Sequence, residues 1–111
     1  ESARRLLEEV NHGAVMSYWQ PPLGPSISQN LEGLEAIMPW LTNLHVYSWE
    51  QVEGERERQL LEARADAWKV YLDRVATTGR DHYALIEFVR DDDPKNFLKD
   101  AETLKAWVAR Y

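Results

Sequence analysis

Trp19, Gln20, His45, Trp49, Arg58, Glu87 and Arg90 are the residues of this chain whose types and positions could do chemistry together. His45 lies in the run Leu44-His45-Val46-Tyr47, and Glu87 lies between Ile86 and Phe88. An imidazole and a carboxylate on neighbouring strands can share a divalent cation, which would polarise a hydroxyl and carbonyl pair. The same carboxylate could move a proton to and from carbon. The Trp19 and Trp49 indoles would offer a flat apolar wall to the C–H face of a sugar ring. Arg58 and Arg90 could reach anionic or hydroxylated groups of a substrate.

Each residue also has a plainer reading. A histidine in an apolar strand can be a hydrogen-bonded core residue. Glu87 is harder to explain that way, because a carboxylate in a buried strand is costly unless it is paired or metal-bound. Gln20 reads equally well as a loop amide, and Trp19 and Trp49 as core aromatics. Asp91-Asp92-Asp93 suits the amino end of a following helix, whose dipole favours negative charge. Residues 50–58, rich in charge, read as a solvated loop.

These residues need elements to hold them. Residues 1–10 read as a helix with Leu6, Leu7 and Val10 on one side, closed near Gly13. Residues 14–19 form a short apolar and aromatic run of strand type, broken by Pro21, Pro22 and Pro25. Ser26 and Gln29 have capping-box spacing, and Leu31, Leu34, Ile37, Met38 and Leu41 follow at helical intervals, with Pro39 closing the last turn. Leu44-His45-Val46-Tyr47 is a second strand. A third helix carries Leu61, Ala65, Trp68, Leu72 and Val75, with Gly79 as its cap. Residues 83–89 are the clearest strand. Asp93-Pro94 opens a final helix with Phe97, Ala101, Leu104 and Val108 on its predicted inner face.

The order is therefore helix–strand–helix–strand–helix–strand–helix. Strands that are apolar on both faces and separated by helices predict a parallel, helix-covered α/β sheet. Right-handed crossovers set the strands side by side in sequence order or in a doubly wound order. In such folds ligand groups gather where strands end and helices begin. That edge receives Trp19 and Gln20, then His45, Ser48 and Trp49, then Glu87 and Arg90.

Three phrases at that edge, Tyr18-Trp19-Gln20-Pro21-Pro22, Asn43-Leu44-His45-Val46-Tyr47 and Ala84-Leu85-Ile86-Glu87-Phe88-Val89, resemble the last three strands of the sugar phosphate isomerase/epimerase family. That family belongs to the xylose isomerase-like barrels. The resemblance implies that residues 1–111 are the C-terminal segment of a TIM (β/α)₈ barrel, strands six to eight, with the first five strands elsewhere. It implies a divalent metal ion (Mn, Zn, Mg or Co), His45 as a ligand, and Glu87 as ligand and acid/base. Gln20 falls where the family usually has an aspartate, and a neutral amide oxygen there should weaken binding of a hard cation. The implied activity is isomerisation or epimerisation of a sugar or sugar phosphate, with the segment alone inactive. A lyase or dehydratase on the same scaffold, or a noncatalytic assembly module, would share its architecture.

Composition narrows the partners. The net charge of −6, with Lys and Arg scattered among more numerous acids, argues against a nucleic-acid partner. There are no cysteines, which excludes disulfides and thiolate metal sites and makes a cytoplasmic location the expectation. No apolar run approaches the roughly 20 residues of a membrane helix, so no membrane partner is expected. Three strands taken from a barrel would leave open edges and an uncovered face, so self-association, or cover by the missing half-barrel, is expected.

Overall fold

The computed structural model describes residues 2–111, and only Glu1 of the first predicted helix lies outside them. The elements are α1 (Ser2–Val10), β1 (Ser17–Trp19), α2 (Ile27–Ile37), β2 (Leu41–Val46), β3 (Trp49–Val52), β4 (Glu55–Arg58), α3 (Ala65–Ala76), β5 (Tyr83–Ile86) and α4 (Pro94–Val108). β1, β2 and β5 form one parallel sheet in that order. This is the sequence-order arrangement, one of the two expected for parallel strands joined through helices.

Local chemistry explains most boundaries. Ser26 accepts from the Gln29 amide while the Gln29 side chain accepts from the Ser26 amide, so the predicted capping box opens α2. Pro39 closes that helix in a 3-10 turn, Met38–Trp40, and Leu41, expected on the helix, instead begins β2. Gly79 has φ 66° just beyond α3, a conformation that costs glycine little. After α1 the left-handed residue is Asn11, φ 41°, rather than Gly13. Asparagine is among the side chains that tolerate this region.

The sheet is helix-covered on one face only. Leu44 and Val46 of β2 join Leu34 and Ile37 of α2, Trp68, Leu72 and Val75 of α3, and Leu104 of α4 in a continuous core. The alternate residues of the strands, Tyr18, Tyr83 and Leu85, are exposed, Tyr83 at 75%. Both faces were expected to be covered, but only one is. In α1 only Leu7 is buried, and Leu6 and Val10 face solvent.

The inner face of α4 is rotated from the predicted one. Phe97 and Val108 are exposed, whereas Asp100, Leu104 and Trp107 are buried. Asp100, 2% exposed, explains the rotation. Its Oδ1 accepts from the Leu61 amide at 2.9 Å and so caps the 3-10 turn (Leu61–Arg64) leading into α3. Burial pushes its carboxyl above the ordinary value of 3.8. A raised folded-state value favours folding below the unfolded pKa, and that contribution is lost as pH rises through the raised value. Asp100→Asn keeps an acceptor for Leu61 without the charge. Its stability relative to the parent should therefore rise with pH from the acid range to neutrality, read from urea midpoints; a pH-independent difference would contradict the assignment.

Candidate functional site

Parallel strands end together, and this brings the predicted chemistry to one edge. β2 and β5 pair with His45 opposite Leu85 and Val46 opposite Ile86. The Glu87 amide then donates to the Val46 carbonyl at 3.2 Å, extending the ladder by one step. Period-2 alternation puts His45 and Glu87 on the same, uncovered face. Their side chains meet there, with His45 Nδ1 3.3 Å from Glu87 Oε2. The contact has ion-pair distance but not hydrogen-bond geometry, and Nδ1 is buried with no hydrogen-bond partner. A group in that state is poised to take up a better-aligned partner.

Tyr18 of β1 completes the cluster. Its ring stacks on His45 with centroids 4.3 Å apart and planes 15° from parallel. Trp19 rather than Tyr18 was the expected wall residue, although alternation alone sets the two on opposite faces. Trp19 lies in the core, edge-on to Trp68 and Tyr71 at 6.4 and 5.0 Å. Gln20 follows β1 at the same sheet edge and is partly buried, and among the described residues no hydrogen bond joins it to His45 or Glu87.

The expected loop of residues 50–58 is instead an antiparallel hairpin, β3–β4, with Trp49 opposite Arg58. The Gln59 amide donates to the Ser48 carbonyl at 2.8 Å and closes its neck. Trp49 packs edge-on to Phe88 and Tyr47, at 5.3 and 6.4 Å. The Arg58 guanidinium lies over the Trp49 and Phe88 rings, 5.5 and 5.0 Å from their centroids, and pairs with Asp92. Arg58 and Trp49 therefore fasten the hairpin beside Glu87, through Phe88. Arg90 sits in the 3-10 turn, Arg90–Asp92, with Asp91 3.7 Å away. Of the acidic run, Asp93 is the helix cap, accepting from the Lys95 amide at 2.8 Å. Asp91 and Asp92 both have left-handed φ, 58° and 51°.

Tyr47, just past β2, ties this cluster to the loop after β1 by donating to the Pro21 carbonyl. Burial, and then the charge of Glu87, push its hydroxyl up to about 12, so it stays a donor at neutral pH. As cation donors, His45 and Glu87 are a matched nitrogen and oxygen pair, and the unsatisfied Nδ1 is consistent with ligation. Alternatively, a Nδ1 proton directed at Glu87 would leave Nε2 as the coordinating atom, oriented by the carboxylate. Among the described residues no group of three His, Cys, Asp or Glu side chains is placed to hold a metal ion. Further donors would be Gln20, water or another polypeptide segment laid over the open face. Comparison with protein-family models, with curated proteins and with solved structures finds no match to this chain.

Proposed function

We propose that this α/β domain is part of a divalent-metal-dependent sugar or sugar-phosphate isomerase or epimerase, acting by proton transfer next to a carbonyl. One observation carries the reading: a histidine and a glutamate from adjacent parallel strands converge at the carboxyl edge of the sheet, 3.3 Å apart. Ligand chemistry in parallel α/β folds concentrates at that edge. His45 and Glu87, with Gln20 as a neutral third donor, would hold the cation, which when bound supplies Lewis-acid polarisation of the carbonyl. Glu87 accepts the proton from carbon and returns it. Tyr18 holds the imidazole plane, and Tyr47 keeps the loop after β1 in register with the site. In this proposal the domain is a barrel segment, and its uncovered face meets the remaining strands.

The uncovered face also favours a second reading, in which the domain is a noncatalytic assembly module. Exposed Tyr83, Leu85 and Tyr18 on one sheet face are unusual for an isolated surface and suit a protein–protein contact. Metal binding separates the two. Calorimetric titration of the intact protein with Mn(II) or Zn(II) should give stoichiometric binding that His45→Ala and Glu87→Ala each weaken by about tenfold or more. Equal affinity in the parent and both variants would reject the catalytic reading and leave assembly.

A further inference from the structure

A cavity lined by the core residues Trp68 and Tyr71 lies apart from His45 and Glu87, neither of which lines it. It measures about 290 Å³ and is formed by the loop after β1, the residues after β2, and the amino ends of α2 and α3. This is near the lower end of the volumes that hold small ligands, roughly 300–1,000 Å³. Its walls are fixed by hydrogen bonds. Trp68 Nε1 donates to the Tyr47 carbonyl at 3.0 Å, and the Tyr47 hydroxyl donates to the Pro21 carbonyl. Asn30 Nδ2 donates to the Pro22 carbonyl at 3.3 Å and to the Tyr71 hydroxyl at 3.2 Å.

The polar lining is left incomplete. Arg64 directs Nε and one Nη2 hydrogen at the Trp49 carbonyl, at 3.3 and 3.2 Å. Among the described residues no carboxylate lies within ion-pair distance of it, in a chain of net charge −6. The opposite edge of its guanidinium, Nη1 and Nη2, retains the parallel donors that grip a carboxylate. Asn30 is 7% exposed, and its Oδ1 has no donor. Tyr71, buried beside it, accepts from Asn30 and keeps its own proton to donate. A ligand hydroxyl placed at this pair would donate to Asn30 and accept from Tyr71.

We propose that this cavity binds a small hydroxylated carboxylate, with Arg64 holding the acid group and Asn30 and Tyr71 reading a hydroxyl. The tryptophan and tyrosine rings enclose its carbon skeleton. The site is separate from His45 and Glu87 and stands whether or not those residues hold a metal.

Trp49 and Trp68 line the cavity, so intrinsic fluorescence, supported by calorimetry, reports binding directly. Titration of the protein with gluconate should saturate, and sorbitol, the same skeleton without the acid, should bind at least about tenfold more weakly. Arg64→Met should weaken gluconate by about tenfold or more, Arg64→Lys by less, and Tyr71→Phe by several-fold. Glu87→Gln should leave gluconate affinity unchanged, which separates this site from the sheet-edge one. Circular dichroism confirms that each variant is folded, and Tyr71→Phe preserves the test if Arg64→Met is not. No saturation by gluconate, equal affinity for sorbitol, or full affinity in both Arg64→Met and Tyr71→Phe would overturn the proposal.

Discussion

Trp68→Ala should cost about 3–5 kcal/mol, the usual range for deleting a buried tryptophan, and so remove a large part of a total stability of about 5–15 kcal/mol. Trp68 is 1% exposed and meets Trp19 and Tyr71 edge-on, at 6.4 and 5.4 Å. Its removal opens a void between α3 and the sheet that neighbouring rings can fill only in part. It also deprives the Tyr47 carbonyl of its donor, at a further cost of about 1 kcal/mol. Trp68→Phe retains most of the ring contact but not the N–H, and should cost clearly less than alanine. The two variants together separate cavity from hydrogen bond, and denaturant unfolding measures both. A Trp68→Ala loss below about 1 kcal/mol would mean that this ring is not the centre of the core. Because Tyr47 borders both the sheet-edge site and the cavity, such a loss would weaken the geometric basis of each.

Local signals in the sequence were legible where one physical rule dominated. Ser26 and Gln29 announced α2 because reciprocal capping needs only that spacing. The parallel pairing of β1, β2 and β5 followed from apolar strands separated by helices, and His45 and Glu87 meet because parallel strands end together. The β3–β4 hairpin was hidden because its strands carry Glu50, Glu55, Arg56 and Glu57 in place of an apolar alternation. What makes it is the two-residue connection Glu53-Gly54, both with positive φ, 49° and 82°, as twisted hairpins require. Glutamate is a poor residue for the first of those positions, so the signal was faint. Its fastening is also nonlocal, with Arg58 reaching Phe88 and Asp92. The buried face of α4 departs from its apolar pattern for a related reason. A pattern of apolar residues never chooses Asp100 over Phe97, and only the Leu61 amide, 39 positions away, makes that burial favourable.

Glu87→Gln tests the proposed proton-transfer role most sharply, because it changes one property of the side chain and little else. The amide retains an oxygen that can ligate a cation, though without its charge, and it matches the carboxylate in size. It cannot take up a proton at neutral pH. In the intact protein, deuterium exchange at the carbon next to the carbonyl should fall by about 10²–10⁴-fold, the usual contribution of a positioned acid/base. Cation affinity should fall far less than in Glu87→Ala, which removes the oxygen as well. His45→Ala should show the opposite balance, losing affinity first, since the imidazole is assigned to ligation and not to the proton's path. Glu87 can carry that proton only if its position is fixed. Phe88, held under Arg58 and Trp49, and the Glu87 amide bonded to Val46 supply that constraint. Exchange that persists in Glu87→Gln while affinity collapses would reverse the assignment and make Glu87 a ligand alone, with the base supplied from across the uncovered face.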